Sequence, residues 1–103
     1  MLALITGASN GLGKDFAKEL SKQGYDLVLV ARSKDKLDKL SSELKTLVYV
    51  EVMDLSVKEN AYKLYSKYKG KIDLLINNAG FGTFGEFTKT DLETELNLSL
   101  IHI

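Results

Sequence analysis

The stretch Thr6-Gly7-Ala8-Ser9-Asn10-Gly11-Leu12-Gly13 places three glycines between the apolar residues 2–5 and a segment with the periodicity of an amphipathic helix. A strand, a glycine loop and a helix in this order are typical of a phosphate-binding loop, because the free N–H groups at a helix start attract anions. We expect Gly7 to adopt a positive φ, Gly11 to let a ligand approach the backbone, and Gly13 to let the helix pack against its strand. The stretch predicts the first unit of a nucleotide-binding sheet.

The spacing of these glycines is G-x-x-x-G-x-G, which differs from the G-x-G-x-x-G fingerprint of many dinucleotide-binding proteins. Three glycines alone are also compatible with an ordinary connection between a strand and a helix. A nucleotide site requires further strands and helices in alternation, so the rest of the chain decides between the two interpretations.

The remaining sequence repeats the pattern of strand and helix. Apolar runs at 27–31, 47–52 and 72–76 predict three more strands, and the segments between them carry apolar residues at helical spacing. Ser33 fits a helix N-cap, and the segments 56–59 and 90–93 fit capping boxes, the second of which opens a helix that runs towards the C-terminus. The alternation predicts an α/β fold with a parallel sheet and helices on both faces.

Composition excludes several classes of protein. The chain has 103 residues, which is enough for one small domain, and its 14 basic and 14 acidic residues leave no net charge to attract nucleic acid or an anionic membrane. It has no cysteine and a single histidine, His102, which argues against disulfides, histidine-rich metal sites and a Ser-His-Asp triad. No apolar run approaches the roughly 20 residues of a membrane span, and no signal peptide is evident, so we expect a cytoplasmic protein.

Arg32 follows the second predicted strand, where a dinucleotide site meets the adenosine ribose. An acidic residue at this point selects NAD, whereas a basic residue accommodates the 2′-phosphate of NADP. Because a guanidinium binds a phosphate dianion through paired hydrogen bonds, Arg32 predicts a preference for NADP(H) over NAD(H). The alternative is that Arg32 is only a solvated residue after a strand.

The third and fourth predicted strands also end in polar residues. Asp54 could accept a hydrogen bond from the adenine amino group, although Asp54 or Ser56 could equally serve only to cap the next helix. Asn77-Asn78-Ala79-Gly80 combines two amides, which can pin neighbouring backbone groups, with two small residues that leave room for a ligand. Alone, the two asparagines would indicate an ordinary turn.

Taken together, the chain resembles the N-terminal part of the short-chain dehydrogenase/reductase family. The resemblance is carried, in order, by residues 6–13, Arg32, Asp54-Leu55 and residues 77–80. It covers nearly all of the chain, and the chain covers less than half of such an enzyme. It implies a truncated Rossmann-like three-layer fold, with about four parallel strands in the order 3-2-1-4, and makes residues 1–103 a partial NAD(P)-binding domain.

The resemblance also implies roles for individual residues. Ser9, Asn10 and Leu12 line the cofactor loop, and Asn97 matches the family's structural-catalytic asparagine, which helps to hold the active-site lysine through water. Asn10 departs from members that carry a basic residue there to aid the 2′-phosphate, so the NADP(H) prediction depends on Arg32. The predicted cofactor-binding set is Gly7, Ser9, Asn10, Gly11, Leu12, Gly13, Arg32, Asp54, Leu55, Asn78, Ala79 and Gly80.

The family's catalytic serine and Tyr-x-x-x-Lys pair would follow residue 103. We therefore expect this chain not to turn over substrate, whereas the intact enzyme would transfer a hydride between the nicotinamide and an alcohol or carbonyl, as a homo-oligomer. Tyr65 and Lys69 have the same spacing as the catalytic pair, but Tyr65 fits the apolar stripe of its helix and is expected to pack in the core.

The sequence is also compatible with two other functions. One is a non-catalytic dinucleotide-binding or regulatory module that is complete at Ile103, which would leave the fourth strand as a free edge. The other is a doubly wound, flavodoxin-like domain that binds a mononucleotide.

Overall fold

The computed structural model describes residues 1–78 and 99–102, and these residues form a parallel sheet flanked by helices. In chain order the elements are β1 (Leu2–Thr6), α1 (Gly11–Lys22), β2 (Asp26–Ala31), α2 (Lys34–Ser42), β3 (Val48–Val52), α3 (Lys58–Tyr68), β4 (Leu74–Asn77) and β5 (Ser99–His102). The strand order is β3-β2-β1-β4-β5, and all four pairings are parallel. The predicted Rossmann-like order 3-2-1-4 is confirmed.

β1 lies at the centre of this order, between β2 and β4. Ile5 is paired in register with Leu29 on one side and with Ile76 on the other. Because every strand runs in the same direction, the carboxyl ends of β1 to β4 meet at one edge of the sheet. This edge is where ligands of open α/β sheets bind.

The two faces of the sheet bury separate apolar clusters, since successive side chains of a strand point to opposite faces. On one face Ala3, Ile5, Leu27, Leu29 and Ile76 pack against Ala17 and Leu20 of α1 and Leu37 and Leu40 of α2. On the other face Leu4, Val28, Val30 and Leu75 pack against Ala61, Leu64 and Tyr68 of α3. Burial on both faces explains why the inner strands are continuously apolar in sequence.

The C-terminal segment differs from its prediction. Residues 99–102 form a strand rather than the end of a helix, and they pair with β4 from Leu74 opposite Ser99 to Asn77 opposite His102. β4 is therefore covered, and it is not the free edge that a chain complete at Ile103 was expected to have. A short apolar run fits a buried strand and a helix equally well by periodicity, and here the hydrogen-bonding edge of β4 decides. The predicted start of that helix at Thr90 lies outside the described residues.

The predicted capping box at 56–59 is also wrong, whereas the predicted cap at Ser33 is confirmed. The Ser33 side chain accepts a hydrogen bond from the Lys36 N–H at 3.4 Å at the start of α2. The N-cap of α3 is Val57, which provides no side-chain cap. Ser56 lies just before this cap, and its hydroxyl donates to Asp54 Oδ1 at 2.7 Å instead. Because the Ser56 hydroxyl is hydrogen-bonded to Asp54, it does not cap α3.

Candidate nucleotide-binding site

A cleft of about 550 Å³ opens at the carboxyl edge of the sheet. It lies over the β1–α1 loop, the end of β2 and the segment after β3. The described residues that line it are Gly7, Ser9, Asn10, Val30, Ala31, Arg32, Ser33, Lys36, Met53, Asp54, Leu55, Ser56 and Asn78. Seven of the predicted cofactor-binding residues thus surround one cavity, namely Gly7, Ser9, Asn10, Arg32, Asp54, Leu55 and Asn78.

The glycine loop has the predicted backbone geometry at its start. Gly7 has φ 62°, in the left-handed region that favours glycine, so the chain turns sharply after β1. The Ala8 N–H donates to the Val30 carbonyl at 3.2 Å, which ties the loop to β2. α1 then begins at Gly11.

Gly13 is required for a close contact rather than for an unusual conformation. A Cβ atom at Gly13 would lie 2.3 Å from the Gly7 carbonyl oxygen and 2.7 Å from Asn78 Nδ2, closer than real Cβ atoms come to other atoms. Gly13 thus allows close packing at the start of α1, but its contacts are with Gly7 of the loop and with Asn78 after β4 rather than with the preceding strand as predicted.

The two asparagines at the end of β4, Asn77 within the strand and Asn78 just after it, hold the glycine loop in place. Thr6 and Asn77 are buried, and the Thr6 hydroxyl donates to Asn77 Oδ1 at 3.0 Å. The same hydroxyl oxygen accepts the Asn78 N–H at 2.9 Å, and Asn78 Nδ2 donates to the Gly7 carbonyl at 3.3 Å. The Asn78 amide thus holds a neighbouring backbone group, as predicted, whereas the Asn77 amide binds the side chain of Thr6.

The start of α1 has no side-chain cap from its own N-cap residue. Asn10 occupies the N-cap position, but its side chain makes no capping hydrogen bond and the first turn contains no acidic residue. The Asn10 side chain instead accepts a hydrogen bond from Lys36 Nζ at 3.4 Å. N–H groups at a helix start that lack a cap can serve an anion.

Asp54 forms a local turn at the far side of the cleft. Its Oδ1 accepts the Ser56 N–H at 2.9 Å and the Ser56 hydroxyl at 2.7 Å. These two hydrogen bonds, with a smaller contribution from the positive charge of Arg32, lower the pKa of Asp54 below its ordinary value. Asp54 is ionised at neutral pH, so both of its carboxylate oxygens can accept hydrogen bonds.

Lys36 is a lining residue that the sequence interpretation missed. It lies four positions after Arg32, in the first turn of α2, and its ammonium reaches Asn10 across the cleft. The signal was a basic residue three positions after the Ser33 cap, because this places it in the turn next to the end of β2.

The remaining predicted residues fall into two groups. Gly11, Leu12 and Gly13 are not among the described residues that line the cleft, and the Leu12 side chain is 55% exposed at the start of α1. Ala79, Gly80 and Asn97 lie outside the described residues, so their predicted roles stay predictions.

Tyr65 has the structural role that was predicted for it. It packs, partly buried, against the apolar cluster under α3, and Lys69 Nζ lies 5.6 Å from the centre of its ring. Within residues 1–78 and 99–102 there is no cluster of three or more histidine, cysteine or acidic side chains that could hold a metal ion. In the same part of the chain, no helix is long and apolar enough to cross a membrane.

Comparison with known proteins identifies the family. A model of the family described as short chain dehydrogenase matches residues 1–102. The very-long-chain 3-oxoacyl-CoA reductase of Homo sapiens is 42% identical over 83 residues, which are 76% of this chain and 27% of that protein. The chain thus spans about a quarter of the length of this curated relative.

Two solved structures show the same architecture. A short-chain dehydrogenase from Sphingobium yanoikuyae in complex with NADPH superposes with a TM-score of 0.70 at 35% identity, over 92% of this chain and 41% of that one. An NADPH dependent reductase involved in bacilysin biosynthesis has a TM-score of 0.80 at 23% identity, over 98% of this chain and 53% of that one, which supports the fold alone. On the strength of the family match and the shared architecture, this chain belongs to the short chain dehydrogenase family.

Proposed function

We propose that this chain is the NADP(H)-binding part of an oxidoreductase that transfers a hydride between the nicotinamide and an alcohol or carbonyl substrate. The observation that carries the proposal is the single cleft that joins the glycine loop to Arg32 and Asp54 at the carboxyl edge of a parallel sheet. A bound NADPH would supply the hydride, and the described residues bind and orient the cofactor.

In this proposal the pyrophosphate lies over the β1–α1 loop. The uncapped N–H groups of the first turn of α1 donate to its oxygens, and the positive end of the helix dipole favours its charge. Gly7 lines the cleft at this point and has no side chain, so the ligand can approach the backbone closely.

The adenosine half of the cofactor occupies the other end of the cleft. Arg32 binds the 2′-phosphate through its guanidinium, and no acidic side chain stands beside it at Ala31 to accept a ribose hydroxyl. The ionised Asp54 accepts a hydrogen bond from the adenine amino group through Oδ2, since Oδ1 already accepts hydrogen bonds from Ser56. The preference for NADP(H) over NAD(H) depends on Arg32.

The reaction is proposed for the whole protein to which this cofactor site belongs. In the reductive direction, a hydride moves from the nicotinamide to the carbonyl carbon and a proton is added to the oxygen. Asn97 is proposed to help position the proton-transferring groups, as the family resemblance implies. A homo-oligomeric parent enzyme and a cytoplasmic location belong to the same proposal.

Fluorescence titration with NADPH, NADH and FMN tests the proposal. We expect saturable binding of NADPH, with NADH at least tenfold weaker and no binding of FMN. Tighter binding of FMN than of either dinucleotide would favour a mononucleotide site and overturn the proposal. Equal affinity for NADPH and NADH would leave a dinucleotide site but remove the cofactor preference.

A further inference from the structure

Lys36 brings a second positive charge into the cleft beside Arg32. Its Nζ lies 3.4 Å from Asn10 Oδ1, so its side chain spans from α2 to the glycine loop. The helix that carries it is held in place by the Ser33 cap and by the buried side chains of Leu37 and Leu40. The position of Lys36 is therefore fixed at its backbone, while its ammonium is in reach of a ligand.

The charge of Lys36 is not neutralised by a neighbouring carboxylate. The other lysine in this turn, Lys34, forms a 2.6 Å ion pair with Asp38. Within residues 1–78, no carboxylate lies within ion-pair distance of Lys36 or Arg32, and the recorded partner of Lys36 is the uncharged amide of Asn10. Among residues 1–78, Lys36 and Arg32 are thus two cations without an ion-pair partner in the same cleft, and Asp54 is the acidic residue in its lining.

A second, smaller cavity makes this end of the cleft more positive. It has a volume of about 180 Å³ and lies between α1 and α2. Lys14, Lys36 and Lys39 line it against a single acidic residue, Glu43. Ser9, Asn10 and Lys36 line both cavities, so Lys36 lies at their junction.

We infer that Lys36 is a specificity-determining residue, which binds the 2′-phosphate of NADP(H) together with Arg32 and is positioned by Asn10. The inference rests on the proposed function. A phosphate monoester carries close to two negative charges at neutral pH, so a single arginine leaves one of them without a partner. Lys36 supplies the second cation, from α2 rather than from the glycine loop.

The position of Lys36 explains why an uncharged residue, Asn10, is suited to position 10. A basic side chain there would bring a further positive charge near Lys36, and the two cations would repel each other. The amide oxygen of Asn10 instead orients the ammonium without cancelling its charge. Asn10 is thus a positioning residue for Lys36.

The test measures dissociation constants for adenosine 2′,5′-bisphosphate and 5′-AMP, which differ only in the 2′-phosphate, and for NADPH and NADH. We expect Lys36→Ala to weaken the binding of NADPH and of the bisphosphate about tenfold. The affinities for NADH and 5′-AMP should stay within twofold of those of the unsubstituted protein. Lys36→Arg should retain most of the NADPH affinity. Asn10→Asp should weaken NADPH selectively, because a carboxylate at position 10 would pair with Lys36.

Two substitutions serve as matched controls. Lys34→Ala removes a lysine from the same turn, and Lys22→Ala removes an exposed lysine at the end of α1 that lines neither cavity; each should change the NADPH affinity less than twofold. Lys36 is exposed, so its replacement leaves the core intact. Equal losses of NADPH and NADH in Lys36→Ala, or no loss of either, would overturn this inference while leaving the proposed function in place. Failure of the unsubstituted protein to bind either dinucleotide would count against the proposed function itself.

Discussion

Gly13 lies so close to Asn78 that no side chain fits at position 13 of α1. A Cβ atom at Gly13 would lie 2.7 Å from Asn78 Nδ2, and that same nitrogen donates a hydrogen bond to the carbonyl oxygen of Gly7 at 3.3 Å. These two interactions therefore hold together the start of α1, the glycine loop and the residue that follows β4. Each of them can be tested by substitution.

Replacing Gly13 by alanine should destabilise the fold by about 2–3 kcal/mol. The new methyl group would overlap the Gly7 carbonyl, which is backbone and cannot rotate away. Urea unfolding would measure the loss, with Lys22→Ala, an exposed substitution in the same helix, as the control at under about 0.5 kcal/mol. Equal stability of the two variants would contradict the close contact.

Replacing Thr6 by valine should lower the free energy of unfolding by about 1–3 kcal/mol, although valine has nearly the same shape. The change leaves Asn77 Oδ1 and the Asn78 N–H without the hydroxyl that they share. Thr6→Ser keeps the hydroxyl and should cost less than Thr6→Val in the same urea titration. The reverse order would show that the methyl group of Thr6 matters more than its hydrogen bonds.

Arg32→Ala should weaken NADPH binding at least tenfold and change NADH binding less than twofold. The guanidinium is expected to contact only the phosphate that distinguishes the two cofactors. Fluorescence titration of both cofactors measures the selectivity, and Arg32→Lys, which keeps the charge but loses the paired hydrogen bonds, should be intermediate. An equal loss of affinity for NADH would show that Arg32 does not determine the preference for NADP(H).

The lowered pKa of Asp54 gives a prediction about pH. The pKa is depressed in the folded protein, so the stability that the ionised carboxylate contributes is present above the unfolded value of 3.8. That contribution is lost as the pH falls through the lower folded value. The stability difference between the unsubstituted protein and Asp54→Asn should therefore be constant from pH 7 to pH 5 and should shrink below pH 3.8.

A direct measurement identifies the cause of that shift. The carboxyl carbon of Asp54 can be titrated by NMR in the unsubstituted protein and in Ser56→Ala, which removes the hydroxyl donor and retains the N–H. The pKa of Asp54 should rise towards its ordinary value in the variant. No change would mean that the Ser56 hydroxyl does not hold the carboxylate in its ionised form.

Most of the fold could be predicted from the sequence, because the inner strands are buried on both faces. Residues 27–31 contain no polar side chain, and they form β2 with only Asp26 added at its start. The positions of Gly7 and Gly13 were equally informative, since one needs a left-handed turn and the other needs the absence of a side chain.

The errors arose where a partner distant in sequence, or a competing neighbour, decided the outcome. Residues 99–102 fit a strand and a helix equally well by local pattern, and their pairing with β4 depends on an edge more than 20 residues earlier in the chain. Ser56 matches a capping box, but Asp54 competes for its hydroxyl. Lys36 was missed because its proximity to Asn10 follows from how α2 packs beside α1, which periodicity does not describe.

The central position of β1 has a consequence for the order of folding. β1 and the glycine loop are synthesised before β4, yet the contacts that fix them, from Thr6 to Asn77 and from Gly7 to Asn78, each join residues 71 positions apart. Contacts that close so long a stretch of chain form late, because the chain loses its entropy before the contacts contribute any stability. The phosphate-binding loop should therefore be synthesised before β4 but reach its final structure only when β4 inserts beside β1.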